Sequence, residues 1–181
     1  KPKSKLGIAH TRWATHGEPS EENAHPHKSK DRVYIVHNGI IENYLELKEY
    51  LKTEGYSFSS QTDSELIAHM LDFFLNKGNS MIDSMYLTKE KLDGAYAIAA
   101  VDKEDELNIV LARNKSPLLI GIGTDEFLAA SDPLAIGQLT NEFIFLEDGD
   151  VAKISAENFV IYDNDKKETS REITKIDISG Q

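Results

Sequence analysis

The hydrophobic residues of this 181-residue chain change their spacing near Gly94, and that change constrains the fold more than any other feature. After Gly94, seven short apolar runs lie between turn residues, at 95–101, 109–112, 118–122, 127–130, 143–146, 151–154 and 159–162. Runs of this length separated by turns predict β-strands. Because short strands need helices or a second sheet to cover their faces, we expect antiparallel sheet in the second half, packed against other layers.

Before Gly94 the spacing is mostly helical, and it predicts three helices. The first would bury one face, formed by Ile40, Tyr44, Leu47 and Leu51, and would end before Gly55. The second would begin at the segment 62–65, in which Thr62 and Glu65 have the spacing of a capping box. The third would run from Ser80 to about Leu92. The predicted fold class is therefore α+β.

Local patterns predict two more strands, a loop and a hairpin. The segments 6–12 and 33–41 are short runs rich in Ile and Val, so both are predicted strands, whereas the polar segment 16–31 is predicted to be a loop. The sequence Glu-Asp-Gly-Asp at 147–150 separates two extended runs. Because Asp-Gly tolerates positive φ, this pattern predicts a hairpin between them.

The composition excludes several classes of protein. The chain has 20 Lys and Arg against 31 Asp and Glu and no basic stripe, so we expect no nucleic-acid partner. No apolar run approaches the ~20 residues of a membrane helix, and no signal peptide is visible, so we expect a cytoplasmic protein without a membrane partner. The sequence contains no Cys, which excludes disulfides, thiolate metal sites and a cysteine nucleophile within these residues.

Side chains suited to chemistry are concentrated in the first 40 residues, which hold five of the six His and the only Trp. The segment His-Thr-Arg-Trp-Ala-Thr-His-Gly at 10–17 combines a cation, an indole, hydroxyls and imidazoles. Arg12 could hold a carboxylate with two hydrogen bonds, and Trp13 could close over a bound ligand. Equally, Arg12 could form a surface ion pair and Trp13 could belong to the core.

Two other segments have both a functional and a structural interpretation. Asn38 and Gly39 could direct a side-chain amide and a backbone N–H at one oxygen, as in an oxyanion hole, although Asn-Gly is also a common turn dipeptide. Asp63 lies in the first turn of the second predicted helix, where a carboxylate is electrostatically favourable without any ligand. It would be functional if it faced a ligand cation such as an α-ammonium group.

The histidines raise the question of a metal site, since neutral imidazole is a common ligand of transition metals. Those in the first 40 residues are His10, His16, His25, His27 and His37. Their spacing matches no familiar metal-binding motif, and the chain has no Cys to complete a set. We therefore predict neither a metal nor another cofactor.

The motifs taken together resemble a known family. The segments 7–17, 23–27, 37–43 and 62–65 are similar in wording, order and spacing to the glutaminase domains of glutamine:fructose-6-phosphate aminotransferases, which are class II amidotransferases. Later segments at 92–96, 116–118, 130–132 and 145–150 fit the same domain, so the resemblance covers nearly the whole chain. It implies an N-terminal nucleophile hydrolase fold, a four-layer αββα sandwich with two antiparallel sheets.

The resemblance also implies roles for individual residues. Arg12 would hold the α-carboxylate of L-glutamine with Thr15 and His16, and Trp13 would cover the substrate. Asp63 would hold the α-ammonium group, while Asn38 and Gly39 would form the oxyanion hole. The residues expected to support the pocket by hydrogen bonding are His10, His25 and His37.

The chain departs from the family pattern in one important respect. The family's nucleophile is an N-terminal cysteine whose free amine acts as the base, and this sequence has none. We therefore expect residues 1–181 to be one glutaminase domain that lacks its N-terminal strand and helices and is inactive alone. The complete protein would add an isomerase domain for fructose 6-phosphate and form a homo-oligomer. Alternatives are another class II amidotransferase or a noncatalytic binding module.

Overall fold

A computed structural model describes residues 6–11 and 18–177. Within these residues the chain forms two antiparallel sheets and three α-helices, which confirms the predicted α+β class. The helices are α1 (Tyr44–Thr53), α2 (Ser64–Asn76) and α3 (Met81–Lys89). None of the helices in the described ranges is long and apolar enough to cross a membrane.

Among the described residues, the larger sheet contains seven strands, which include the first four along the chain. In chain order they are β1 (His27–Ser29), β2 (Val33–Ile41), β3 (Gly94–Asp102), β4 (Asp105–Asn114), β8 (Val151–Ile154), β9 (Phe159–Tyr162) and β10 (Glu168–Thr169), with β5 to β7 in the other sheet. The spatial order is the same as the chain order, so β1 and β10 are the edge strands.

The smaller sheet contains β5 (Leu119–Ile122), β6 (Phe127–Ala130), β7 (Glu142–Phe145) and β11 (Ile173–Lys175), in the order β11, β7, β5, β6. The hairpin predicted across 147–150 is wrong, because β7 belongs to this sheet and β8 to the larger one. Gly149 does have the positive φ of +93° that the turn signal indicated. The segment therefore carries the chain from one sheet to the other.

Two hydrophobic cores separate the layers. The first lies between the helices and the larger sheet, and it includes Ile35 and Ile41 of β2 together with Leu66 and Met70 of α2. The second lies between the two sheets, where residues such as Ile120 meet the inward face of the larger sheet. In the described part of the chain, the three helices all pack on the outer face of the larger sheet.

The helix boundaries differ from the predicted ones for identifiable reasons. Helix α1 begins at Tyr44 because Ile40 and Ile41 pair with β3 as the end of β2. The capping box predicted at Thr62 does not form: Asp63 is the N-cap residue of α2, and no side chain caps that end. Ser80 does cap α3, by accepting a hydrogen bond from the Asp83 amide at 3.1 Å.

Two predictions near the N terminus are also wrong. Residues 6–11 belong to no strand, although their composition favours one. The predicted loop at 16–31 contains β1, which pairs antiparallel with β2. Strand β1 has the sequence His-Lys-Ser, so no apolar pattern marks it, and its pairing with β2 creates it.

Candidate active site

The candidate site lies where strand β2 ends and helix α2 begins. Asn38 and Gly39 are near the end of β2, and Asp63 is the N-cap residue of α2. The buried Asp63 carboxylate ties these elements together, because its Oδ2 accepts a hydrogen bond from the Ile41 amide at 2.7 Å. This contact fixes the orientation of the carboxylate at the start of α2.

Asn38 is held in place by a histidine from the N-terminal segment. Its Oδ1 lies 2.6 Å from Nε2 of His10. An amide oxygen only accepts hydrogen bonds, so the contact requires the imidazole hydrogen to be on Nε2. The contact directs the Asn38 Nδ2 group away from His10, where it can donate to another atom.

Gly39 could not be replaced by another residue without moving the backbone. Its φ is +125°, and a Cβ placed on it would lie 1.9 Å from the carbonyl oxygen of Ala95 on the neighbouring strand. Residues other than glycine rarely adopt such φ values. A contact this close to a backbone atom also cannot be relieved by the rotation of a side chain. The position is also exposed, so no side chain shields the Gly39 peptide from an approaching ligand.

Three histidine rings, from His10, His25 and His27, form a continuous group beside Asn38. The rings of His10 and His25 are stacked, with centroids 4.1 Å apart and planes 26° from parallel. The ring of His27 meets that of His25 edge-on, with centroids 4.7 Å apart. Its Nε2 is 3.0 Å from the hydroxyl of Thr62, just before α2.

The arrangement of these three histidine rings does not favour a metal ion bound between them. Stacked rings direct their nitrogens sideways instead of converging them on one point, as a metal ion requires. Among the residues that the structure describes, no group of three His, Cys, Asp or Glu side chains could hold a metal ion. The absence of a metal in the whole protein stays a prediction.

His37 lies on the helix side of β2, opposite to the cavity-facing Asn38. Its Nδ1 is 2.9 Å from the hydroxyl of Ser64 in the first turn of α2, and its buried Nε2 has no hydrogen-bond partner among the described residues. Burial lowers the pKa of His37 to about 4, with His10 and His27 acting in the same direction and the Asp63 carboxylate opposing them. The ring is therefore neutral at neutral pH.

The loop before α2 is fixed by buried polar contacts. The Glu65 carboxylate accepts hydrogen bonds from the backbone amides of Ser59 and Ser60. Burial raises the pKa of Glu65, but hydrogen bonds from His69 and from these two serines outweigh it and bring the pKa to about 2. The side chain of Asn23 connects the segment before β1 to this loop, because its Oδ1 accepts a hydrogen bond from the backbone N–H of Gln61 at 2.8 Å.

A cavity of about 490 Å³ opens beside Asn38 and His10, between the two sheets. On the larger sheet its wall includes Val36, Ala97 and Ala99, and on the smaller sheet it includes Ala129. Small side chains on both sides leave this space. The volume falls in the range of small-molecule pockets, and the amide of Asn38 supplies a polar group at its wall.

The structure describes part of the site predicted from the sequence. Asn38, Gly39, Asp63, His10, His25 and His37 all lie in one region around the junction of β2 and α2. The predicted ligand-binding residues Arg12, Trp13, Thr15 and His16 lie outside the described residues. Sequence reasoning did not identify the contacts of Thr62 and Ser64, because their apparent role was to begin a helix.

Comparison with known proteins gives one consistent assignment. Residues 10–138 match the family described as the glutamine amidotransferase domain. The chain is 50% identical over 169 residues to glutamine–fructose-6-phosphate aminotransferase [isomerizing] of Vibrio parahaemolyticus, covering 93% of this chain and 28% of that protein. The homologue of the same name from Shewanella oneidensis is 47% identical over 173 residues, covering 96% of this chain and 28% of that protein.

A solved structure shares the fold. The glutamine phosphoribosylpyrophosphate amidotransferase of B. subtilis superposes with a TM-score of 0.71 and 25% sequence identity, over 86% of this chain and 34% of that one. This likeness and the two facing sheets confirm the predicted sandwich of the N-terminal nucleophile hydrolase type. The chain spans little more than a quarter of its curated relatives, and it belongs to the glutamine amidotransferase domain family.

Proposed function

We propose that this chain is the glutamine-hydrolysing part of a glutamine–fructose-6-phosphate aminotransferase. The observation that carries the proposal is the pairing of the His10-held Asn38 amide with the side-chain-free Gly39 peptide, beside a cavity. Two adjacent donors of this kind suit the negative oxygen of a tetrahedral intermediate. The sequence identity of 50% over 169 residues to an enzyme of that name supports the choice of the sugar-phosphate acceptor.

Each residue has a specific proposed role in binding L-glutamine. The Oδ1 atom of Asp63 would accept from the α-ammonium group, while Arg12 would pair with the α-carboxylate, assisted by Thr15 and His16. Trp13 would cover the bound amino acid. The histidines His10, His25 and His37 would support the pocket and would not transfer protons.

The chemical step needs a nucleophile that these 181 residues do not contain, since they include no Cys. In the proposed reaction a cysteine thiolate attacks the side-chain carbonyl carbon of glutamine, and the oxygen becomes negatively charged between Asn38 and Gly39. Collapse of this intermediate breaks the C–N bond, and the departing NH₂ group takes up the proton that the cysteine thiol lost, so that it leaves as ammonia. Water then hydrolyses the thioester and releases glutamate.

The remaining reaction belongs to the whole protein. The ammonia would convert fructose 6-phosphate into glucosamine 6-phosphate in an isomerase domain, within a cytoplasmic homo-oligomer. We propose the cytoplasm because both sugars are phosphorylated metabolites.

Kinetics of three variants test the residue roles, measured on the protein encoded by the complete open reading frame. Arg12→Lys and Asp63→Asn should raise KM for glutamine and lower kcat/KM by roughly one to two decades, because each loses a charge-assisted contact present before and during reaction. Asn38→Ala should mainly lower kcat, since its donor serves charge that develops during attack. Asn108→Ala, at a half-buried position, and Asp165→Asn, at an exposed one, lie outside the lining of the cavity and are the matched controls.

Several outcomes would contradict the proposal. If Asn38→Ala changed only KM, or if Arg12→Lys and Asp63→Asn behaved like the controls, the assigned roles would be wrong. Likeness to the phosphoribosylpyrophosphate amidotransferase structure makes that activity the second candidate. Assays with fructose 6-phosphate and with phosphoribosylpyrophosphate distinguish the two, and the absence of ammonia release with either would favour a noncatalytic glutamine-binding module.

A further inference from the structure

We propose that Thr62 and His27 are positioning residues for Asn38, acting through the stacked rings of His25 and His10. The inference rests on the proposed function, because it concerns the amide that would face the oxyanion. We call the three rings of His27, His25 and His10 the histidine stack. One end of the histidine stack contacts the residue before Asp63, and the other contacts Asn38.

The Thr62 end of the stack is rigid. Thr62 is buried, and its hydroxyl lies 3.0 Å from both His27 Nε2 and the hydroxyl of Ser60. His27 belongs to β1 and pairs with Ile35 of β2, so its backbone is held in the sheet. Thr62 lies in the bend just before α2, where its backbone amide is 3.3 Å from the hydroxyl of Ser60. A hydroxyl that contacts a ring nitrogen in a buried site fixes the rotation of that ring.

The histidine stack passes around the edge of the larger sheet. His27 shares a face with its partner Ile35, which packs against the helices, whereas Asn38 lies on the cavity side of β2. Because β1 is an edge strand, the rings of His25 and His10 can continue from one face to the other without crossing a neighbouring strand. The stack therefore connects the start of α2 with the cavity.

At its other end, the stack selects one of two orientations of the Asn38 amide. With the imidazole hydrogen of His10 on Nε2, rotating the amide by 180° would place its NH₂ group against that N–H, so two donors would face each other at 2.6 Å. This tautomer of His10 therefore favours the orientation in which the amide nitrogen points away from the stack. Any change that lets the His10 ring turn would weaken this preference.

The role of Thr62 in the helix does not account for its hydroxyl. The capping-box pattern would make that hydroxyl accept from the backbone of α2, yet no side chain caps the helix and the hydroxyl faces His27 and Ser60 instead. The Thr62 hydroxyl thus serves the histidine stack and the adjacent loop. This use of the side chain predicts that its loss affects Asn38 more than it affects helix formation.

Steady-state glutaminase kinetics on the protein from the complete open reading frame provide the first test. Thr62→Val should lower kcat roughly two- to tenfold, which is the loss of one buried hydrogen bond acting on the transition state, with KM changed less than about twofold. Thr62→Ser, which keeps the hydroxyl, should restore kcat. His27→Gln should lower kcat at least as much as Thr62→Val, because it also removes the ring contact with His25.

Thr88→Val is the matched control. Thr88 is fully buried in α3, and its hydroxyl has no hydrogen-bond partner in the part of the chain that the structure describes. The substitution therefore makes the same chemical change away from the stack. Its kcat should equal that of wild type. A Thr62→Val variant that matches the control, or that changes KM alone, would overturn the inference.

A second measurement separates this inference from the proposed function. In NMR spectra of the 181-residue chain, Thr62→Val should shift the side-chain amide signal of Asn38 and the ring nitrogen signals of His10, whereas Thr88→Val should leave them unchanged. If the wild-type protein releases no ammonia but these shifts occur, the proposed function fails and the positioning holds. Unchanged Asn38 and His10 signals in Thr62→Val would refute the positioning whatever the activity.

Discussion

The two faces of strand β2 have the same backbone but very different surroundings. On the helix face, Val33, Ile35 and Ile41 are completely buried, and even His37 is 4% exposed. On the opposite face Val36 and Asn38 are only half-buried and border a cavity of about 490 Å³. One strand thus contributes to a filled core and to a space that is open to a ligand.

The difference comes from the size of the opposing side chains. Helices α1 and α2 bring large aliphatic residues such as Leu51 and Leu66 to one face. Towards the smaller sheet, strand β3 presents alanines, including Ala97 beside Asn38 and Ala99 beside Val36. A filled core fixes the position of β2, and the small residues leave room beside the polar group that it carries.

The largest effect is expected from a substitution that the backbone conformation of β2 cannot accommodate. Gly39→Ala should destabilise the chain by about 4 kcal/mol or more, because the new methyl group would meet the Ala95 carbonyl at 1.9 Å. Gly55→Ala is the control, since Gly55 also has positive φ, at +89°, but has nothing within 4 Å of a new Cβ. It should cost about 1 to 2 kcal/mol. Similar urea midpoints for the two variants would show that β2 and β3 can separate at Gly39.

Neighbouring residues on opposite faces allow a direct comparison. Ile35→Ala should cost about 3 to 4 kcal/mol, because it leaves a cavity in a filled core, whereas Val36→Ala should cost about 1 kcal/mol. Urea denaturation at neutral pH measures both. If the two losses were equal after allowing for side-chain size, the contrast between the faces would be wrong.

The helix face should also make the chain sensitive to acid. The pKa of His37 is about 4 in the folded chain and about 6.5 when unfolded, so the unfolded chain binds more protons between these values. Stability should therefore fall as pH drops from about 6.5 to 4, by about 3 kcal/mol from this group. Below pH 4 the folded chain also binds the proton, and the loss is complete.

Removing the ring isolates this contribution. His37→Asn should be less stable than wild type at pH 7.5, and the difference should shrink as the pH is lowered, because the variant has no imidazole to protonate. Denaturation at several pH values provides the comparison. A constant difference between pH 7.5 and 4 would show that His37 titrates normally in the folded chain.

Much of the fold could be predicted from short-range patterns. The bounds of β2, β6, β8 and β9 agree with the apolar runs, because alternation and run length depend on each strand alone. The hairpin at 147–150 could not be judged in this way. Its Asp-Gly turn is real, but which strand pairs with which depends on the other nine strands described.

The sequence indicated which described residues lie together at the candidate site, but not the hydrogen bonds that connect them. The resemblance identified Asn38 and Asp63, and both lie at the junction of β2 and α2. The hydrogen bond from Thr62 to His27 joins residues 35 positions apart, and no local pattern indicates it. The sequence signals for the start of α2 also predicted the wrong side-chain contacts. Thr, Asp and Ser side chains often cap helices, but here they hydrogen-bond to histidines or to a strand instead.

The smallest effect, and the sharpest test of the contrast between the faces, comes from adding methyl groups on each side of β3. Ala99→Val places them beside Val36 at the cavity, where they gain contacts and strand propensity, so the chain should become more stable by up to about 1 kcal/mol. Ala100→Val places the same groups in the filled helix-side core, where Ala100 is 1% exposed, and should cost about 1 to 3 kcal/mol. Thermal unfolding of both variants at neutral pH compares the signs directly. Destabilisation by Ala99→Val as large as that by Ala100→Val would mean that the space beside Asn38 is not available to added atoms, and a ligand could enter it only if the two sheets moved apart.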